Sequence, residues 1–226
     1  ADYLRQQPLV KLSIPQYINH FEENKDFCIN RLPVPYRPEA PAPKVWLQFL
    51  SDLLIPEDIQ TLQEFMGYCL IPSTKAQKMQ LMVGKGGEKN PEWIVLRSIL
   101  GSNMNTGSID KVENNKFAAA DLEHELVMLG DDLKMEALTQ TNHIKAIVTS
   151  ELPVDLEKKG QQSYQGQLYV RFIGFDNGTL QALHGRSVGF FRRQIIPDRQ
   201  GQARKSGRDD PFIAEKMCSE AEGIFL

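Results

Sequence analysis

The chain has 226 residues and a formal net charge of -3, and 41% of its residues are hydrophobic. This length suits one full domain with a smaller flank, and the ordinary apolar fraction excludes disorder over most of the chain. No apolar run approaches the ~20 residues of a transmembrane helix, and the opening segment ADYLRQQPLVK lacks the apolar centre of a signal peptide. The near-neutral charge excludes a general binder of polyanions, although basic residues cluster between Arg186 and Arg208.

The first part of the chain predicts an extended connector followed by a small group of helices. Residues 1–45 are rich in turn formers and include five prolines within RLPVPYRPEAPAP, which excludes a regular helix or a central strand. Residues 46–54 and 56–72 carry apolar side chains at helical spacing, and Pro56 with the acidic residues after it is typical of a helix start. We predict a helical collar over residues 46–78.

Short apolar runs alternate with helix-like stretches over residues 79–208. The runs are MQLMVG (79–84), ELVMLGDD (125–132), QLYVRFIGF (167–175) and RRQIIP (192–197), and one helical stretch covers 137–150. Buried strands alternating with helices are typical of an α/β fold with a mostly parallel sheet. The last segment, residues 209–226, predicts an amphipathic helix that the chain cuts short.

The cysteines and histidines show no spacing typical of a disulfide framework or a zinc site. The three cysteines lie far apart without a CxxC pair, and their odd number favours a reducing compartment. We therefore expect all of these side chains to be ordinary core or surface groups: Cys28, Cys69, Cys218, His20, His124, His143 and His184.

A glycine-rich loop follows the first apolar run and precedes a predicted helix. Gly84, Gly86 and Gly87 let backbone N–H groups close around a phosphate, and the N-terminus of the next helix adds partial positive charge. A complete P-loop, GxxxxGK[ST], also places a lysine on the β- and γ-phosphates and a hydroxyl on Mg²⁺. Here Lys89 follows a glutamate and precedes Asn90, so the loop departs from the strict motif. A tight turn between strand and helix is the alternative.

Polar side chains also end the second and third runs, and ligands of parallel α/β sheets bind at such strand ends. Asp131 and Asp132 close a buried strand, where one carboxylate can hold Mg²⁺ through its water shell and the other can polarise an attacking water. Asn177 can contact a γ-phosphate or orient water. The alternatives are an acidic N-cap for the following helix and a turn asparagine before Gly178.

Two basic features complete the set of candidate residues. Arg192 and Arg193 precede the last run, and an arginine that reaches a neighbouring subunit's nucleotide stabilises transition-state charge. The alternative is a solvated pair of charges or a contact with a phosphate backbone. Lys158 and Lys159 lie in a turn with Tyr164 nearby, where lysines can hold a DNA backbone and the ring can stack on a base. An exposed surface loop is the alternative there.

Taken together, these residues resemble the superfamily 3 helicase domain of the primase-helicases that phages and plasmids encode. The resemblance covers most of the chain and depends on the order of its motifs: RLPVPYRPEAPAPKVWLQFL, IQTLQEFMGYCLIPSTKAQKMQLMVGKGG, ELVMLGDD, EKKGQQSYQG, FDNG and GFFRRQII. It implies a P-loop NTPase (AAA-like) core behind the helical collar, with ATP and Mg²⁺ as cofactors. It also implies a homo-oligomer, usually a hexameric ring, that hydrolyses ATP between subunits and pulls single-stranded DNA through its central channel.

The resemblance also implies a role for each candidate residue. The nucleotide loop falls on Gly84, Gly86, Gly87, Lys89 and Asn90. The acidic pair falls on Asp131 and Asp132, and Asp131 holds Mg²⁺ through water. Asn177 is the sensor. Arg192 or Arg193 is the arginine finger, and the DNA-binding hairpin carries Lys158, Lys159 and Tyr164. We expect this sequence to be a fragment that lacks the primase portion and to act in the cytoplasm of a bacterial host.

The nucleotide loop departs from the family at one point. The family has Gly-Gly-x-Gly-Lys-Ser, whereas this chain has Gly86-Gly87-Glu88-Lys89-Asn90, so the lysine comes one residue early and the hydroxyl that binds magnesium is replaced. We expect this change to weaken nucleotide binding or to abolish hydrolysis. Two other functions stay open: a non-hydrolysing DNA-binding or assembly subunit derived from such a helicase, and a P-loop enzyme of another kind, such as a small-molecule kinase.

Overall fold

The computed structural model describes residues 30–83, 91–130, 142–176, 192–197 and 210–226. The chain divides into two compact units, Ala1–Arg31 and Leu32–Leu226, and only Asn30 and Arg31 of the first unit are described. All helices and strands given below belong to the second unit. No helix among the described residues has the length and apolarity needed to cross a membrane.

Two helices precede an alternation of strands and helices, in the order that the sequence predicts. The helices are α1 (Lys44–Leu53), α2 (Pro56–Tyr68), α3 (Pro91–Leu100), α4 (Ile109–Asn114), α5 (Asn142–Thr149), α6 (Ile213–Cys218) and α7 (Ala221–Phe225). The strands are β1 (Met79–Val83), β2 (Met104–Gly107), β3 (Val127–Gly130), β4 (Val154–Leu156), β5 (Tyr164–Gly166), β6 (Arg171–Asp176) and β7 (Gln194–Ile195).

Five of the described strands form one sheet in the order β2-β3-β6-β1-β7, and all neighbours in it run parallel. The strand β6 therefore lies between β1 and β3 although it follows both in sequence. The strands β4 and β5 pair antiparallel as a separate hairpin, in which Leu156 is opposite Tyr164. The predicted α/β class with a mostly parallel sheet behind a helical collar is confirmed. The edge strand β2 was not predicted.

Both faces of the sheet are covered, which explains why the central strands are continuous apolar runs. One face carries Met79, Leu81 and Phe172 and packs against α4, α5 and the base of the hairpin. The other face carries Met82 and Ile173 and packs against the collar helices, α3 and the C-terminal helices. All five of these sheet side chains are at most 3% exposed. The sheet is thus the middle layer of a three-layer core.

The C-terminal segment forms two short helices, α6 and α7, instead of the single predicted helix, and it packs against the start of the collar. Glu220, between these helices, accepts hydrogen bonds from the backbone N–H of Val45 at 3.1 Å and of Trp46 at 3.0 Å. The N-terminus of α1 has no side-chain cap of its own at Pro43. Because a carboxylate at a helix N-terminus satisfies free N–H groups, Glu220 stabilises α1 from a distant part of the chain.

Candidate nucleotide and DNA site

Three strands of the sheet end beside one another at its carboxyl edge. Val83, the last residue of β1, is paired with Asp176, the last residue of β6. Gly130, the last residue of β3, is paired with Gly174 of the same strand β6. Ligands of open parallel sheets bind outside this edge. The segments that follow these three strands are the ones that carry the predicted nucleotide residues.

The predicted nucleotide residues themselves lie outside the described residues. They are Gly84, Gly86, Gly87, Lys89, Asn90, Asp131, Asp132 and Asn177. Within the described residues, no group of three histidine, cysteine, aspartate or glutamate side chains is placed to hold a metal ion. The nucleotide loop, the acidic pair with its magnesium and the sensor therefore stay predictions.

The helix α3 begins directly after the glycine loop and is fixed next to the end of β6. It starts at Pro91. Proline suits the first position of a helix because an N–H group there would have no hydrogen-bond partner within the helix. Trp93 is 3% exposed, and its ring meets the ring of Phe175 edge-on at 6.0 Å between centroids. In P-loop proteins a strand, a glycine-rich loop and a helix follow one another in the same order, and that unit binds phosphate groups.

The arginine pair lies at the opposite edge of the sheet. The strand β7 pairs with Met79 and Gln80, the first residues of β1, so Arg192 and Arg193 lie before the start of β1. The Arg193 carbonyl accepts a hydrogen bond from Met79 N–H at 2.8 Å, and the Arg192 carbonyl accepts one from the Lys78 ammonium at 2.5 Å. At about 3.3 Å per residue, the length of β1 separates this pair from the carboxyl edge by about 16 Å.

The two arginine side chains differ in exposure. Arg192 is exposed, whereas Arg193 is half-buried. Burial lowers the pKa of Arg193, and the positive charge of Arg192 lowers it further. Because a finger must leave its own subunit to reach a neighbour's nucleotide, the exposed Arg192 suits that task better than Arg193 does.

The hairpin of β4 and β5 ends in a tight turn with Lys159 at its corner. The backbone N–H of Gln161 donates to the Lys158 carbonyl at 3.0 Å, and Gly160 has φ 77°. A positive φ at the third of four turn residues is typical of a type II turn and favours glycine there. Lys159 is exposed and makes no hydrogen bond or ion pair to any residue that the structure describes. Because the side chain is exposed, an external anion can reach its ammonium.

The other two hairpin candidates turn towards Glu123, a residue that the sequence did not single out. The Tyr164 hydroxyl donates to Glu123 Oε2 at 2.5 Å, and Lys158 Nζ lies 3.3 Å from the same oxygen. Lys158 Nζ also lies 5.3 Å from the centre of the Tyr164 ring. Burial acts to raise the pKa of the Glu123 carboxyl, but the hydrogen bonds from Tyr164 and Lys158 outweigh it, so this pKa lies below its usual value.

A second residue outside the predicted set, Arg171, joins the sheet to the end of α2. It begins β6, is 1% exposed, and places its guanidinium 4.2 Å from the centre of the Tyr68 ring. The guanidinium donates to the carbonyls of Ile71, of Ser73 at 2.5 Å and of Tyr169 at 2.7 Å. Burial lowers the pKa of Arg171. A single buried charge thus orders the chain between α2 and β1.

The described cysteines show no sign of chemistry. Cys69 is fully buried beside Arg171, and burial raises the pKa of its thiol to about 12. A protonated, inaccessible thiol is unreactive at neutral pH. Cys218 is a free cysteine and is half-buried. Both are core or surface residues, whereas Cys28 lies outside the described residues.

Known proteins are similar to this chain in fold more than in sequence. A family described as "Family of unknown function (DUF5906)" matches residues 84–193. No curated protein matches the chain. The apo structure of the NrS-1 C-terminal region has a TM-score of 0.67 at 14% identity, covering 84% of this chain and 46% of that one. The A form of the same region has a TM-score of 0.65 at 15% identity, covering 84% of this chain and 45% of that one.

The X-ray structure of JCV Helicase is less similar, with a TM-score of 0.45 at 14% identity, covering 81% of this chain and 50% of that one. The chain spans less than half the length of the NrS-1 structures that it matches. Its core is an α/β fold with a mostly parallel sheet, as the sequence predicts, and it is similar in fold to the NrS-1 C-terminal region over most of its length.

Proposed function

We propose that this chain is the motor domain of an ATP-dependent DNA helicase of superfamily 3. It acts as a ring-shaped homo-oligomer on single-stranded DNA while a phage or plasmid replicates in the cytoplasm of a bacterial host. The observation that carries the proposal is the strand order. The strand β6 lies between β1 and β3 in the sheet. The end of β6, which the predicted sensor follows, therefore lies between the strand end that precedes the glycine loop and the strand end that precedes the acidic pair.

The arrangement of the described strands and helices fits a bound nucleotide at the carboxyl edge. The backbone of Gly86 and Gly87 would bind the phosphates with Lys89, and Asp131 would hold Mg²⁺ through water. The magnesium ion, when bound, neutralises charge that develops on the phosphate oxygens. Asp132 would orient the attacking water. Asn177 would contact the terminal phosphate.

The position of the arginine pair supports an oligomer. An arginine about 16 Å from its own carboxyl edge does not reach a nucleotide bound there, so a finger role would require a neighbour's nucleotide. The family match also supports the proposal that these residues act together. It begins at Gly84, the first predicted nucleotide residue, and ends at Arg193, the last candidate for the arginine finger. The longer NrS-1 chains fit the proposal that further domains, among them the primase portion, accompany this one.

A second candidate function follows from the nucleotide loop. Because Lys89 comes one residue early and Asn90 replaces the hydroxyl ligand, the chain would assemble and bind DNA without hydrolysing ATP. Both candidates require the hairpin to contact DNA, whereas a small-molecule kinase does not. DNA binding at the hairpin therefore separates these two candidates from the kinase.

We expect the substitution Lys159→Ala to weaken single-stranded DNA binding through the loss of one phosphate contact. The slope of log K against log salt concentration should fall by about 0.7, the value for one phosphate contact on a single strand. Fluorescence anisotropy of a labelled oligonucleotide across a salt series measures this slope. The exposed Lys111 on α4 provides the matched control, and Lys111→Ala should leave the slope unchanged. Equal slopes for the chain and Lys159→Ala would contradict a role for this hairpin in DNA binding.

A further inference from the structure

The carboxylate of Glu123 occupies a space that the base of the hairpin leaves for it. A Cβ atom on Gly166 would lie 3.1 Å from Glu123 Oε1 and 2.4 Å from Cδ1 of Leu156. Leu156 is fully buried in the core below. Glycine at this position therefore allows one oxygen of Glu123 to lie against the strand β5 while the other oxygen accepts from Tyr164 and Lys158.

Glu123 is itself fixed to the sheet. The chain turns directly after it at His124, whose φ of 74° is uncommon for a residue other than glycine. Leu126 then donates its N–H to the Asn103 carbonyl at 2.8 Å and accepts from Arg171 N–H at 3.0 Å. These bonds place Glu123 just before β3, the strand whose far end precedes the predicted acidic pair.

We propose that Glu123 is the positioning residue of the DNA-binding hairpin. Its carboxylate holds Tyr164 and Lys158 on the core, so that Lys159 is the hairpin lysine that contacts the DNA backbone. The proposal rests on the proposed function for its DNA contact, but the contacts of Glu123 within the protein do not depend on DNA. It changes the expected roles of Lys158 and Tyr164 from DNA contacts to internal supports.

The burial and charge of the three side chains favour this division of roles. The Glu123 side chain is 17% exposed and the Lys158 side chain 45%. A hydrogen bond to a charged group that is mostly removed from water contributes more to stability than an ion pair between exposed side chains does. The Tyr164–Glu123 bond is of the first kind. Lys158 is already neutralised by Glu123, and Lys159 is not paired with any described residue.

Hydrogen exchange of the whole chain tests the internal role without DNA. We expect backbone amides of residues 154–166 to exchange at least about 10-fold faster in Glu123→Gln and in Tyr164→Phe, because each substitution weakens the attachment of the hairpin. The matched control is Glu157→Gln, which also removes one negative charge but takes it from the hairpin itself. Glu157 pairs with exposed Lys116 at 2.8 Å, so this control should change exchange by less than about 2-fold.

Salt-dependent binding of a single-stranded oligonucleotide tests the division between the lysines. We expect Lys158→Ala to leave the salt slope unchanged, whereas Lys159→Ala lowers it by about 0.7. Glu123→Gln should raise the slope by up to about 0.7, because Lys158 loses its carboxylate partner and becomes available to phosphate. The double variant Glu123→Gln/Lys158→Ala should return to the original slope. A merely structural role for Glu123 would not produce this rise and its reversal.

Each of the two experiments can contradict a different part of the proposal. Unchanged hairpin exchange in Glu123→Gln and Tyr164→Phe would overturn the role of Glu123, whatever the DNA result. A fall in salt slope for Lys158→Ala as large as that for Lys159→Ala would overturn the assignment of Lys158. Absence of any single-stranded DNA binding would overturn the DNA part of this inference together with the proposed function, while the exchange result would still decide whether Glu123 positions the hairpin.

Discussion

Replacing Arg171 by methionine is expected to lower the free energy of unfolding by about 2–4 kcal/mol. The substitution removes the guanidinium hydrogen bonds to the carbonyls of Ile71, Ser73 and Tyr169. It also removes the contact of the guanidinium with the Tyr68 ring. Relief of the burial cost of the charge offsets part of this loss. Urea denaturation measures this change in the free energy of unfolding, provided that the free energy depends on urea concentration with the same slope in both proteins.

Two further variants make the Arg171 prediction specific. Arg171→Lys keeps the charge, but its ammonium cannot reproduce the planar fork of donors, so it should recover only part of the lost stability. The control is Arg97→Met on the exposed side of α3, which should stay within about 0.5 kcal/mol of the unchanged chain. If Arg171→Met were as stable as Arg97→Met, Arg171 would not be what holds the end of α2 to the sheet.

Replacing Arg192 by alanine is expected to lower ATP hydrolysis by about 10³- to 10⁵-fold. The measurement uses a variant whose nucleotide loop is restored to the family pattern, with glycine inserted between Glu88 and Lys89 and with Asn90→Ser. Arg192 is exposed before β7, at the edge of the sheet opposite to the carboxyl ends of β1, β3 and β6. Under the proposed function, its loss removes the charge that stabilises the transition state in the neighbouring subunit.

Mixing of variants tests whether Arg192 acts between subunits. In the restored background, Arg192→Ala subunits keep a complete nucleotide loop and Lys89→Ala subunits keep the finger, so mixed rings should regain part of the activity that each variant lacks alone. Arg193→Ala serves as the neighbouring control and should have a much smaller effect, because its side chain is half-buried. A loss below about 10-fold for Arg192→Ala, or no recovery on mixing, would contradict the assignment of the finger.

The central sheet could be predicted from the sequence because its strands are buried on both faces. Continuous apolar runs such as MQLMV have no other common explanation when glycine or aspartate ends them. The edge strand β2, with the sequence MNTG, could not be found in this way because only Met104 in it is buried. The helix α2 ends at Tyr68, short of the predicted residue 72, because the chain there turns to place its carbonyls on Arg171.

The side chains that organise the site could not be predicted because their partners are distant in sequence. Glu123 lies 41 residues from Tyr164, and the Arg171 contact with Ile71 spans 100 residues. A lone glutamate before a strand, or a lone arginine in an apolar run, carries no sign of what lies beside it in the fold. The strand ends of the carboxyl edge were predictable, since topology alone brings them together.

ATP hydrolysis with and without single-stranded DNA, on this chain and on the variant with the restored loop, tests the proposed motor most directly. We expect single-stranded DNA to stimulate hydrolysis by the restored variant, at a rate at least about 100-fold above that of the unrestored chain. Equal hydrolysis by both would show that Lys89 reaches the phosphates from its present position. No hydrolysis by the restored variant, with or without DNA, would contradict the account of this chain as a helicase motor.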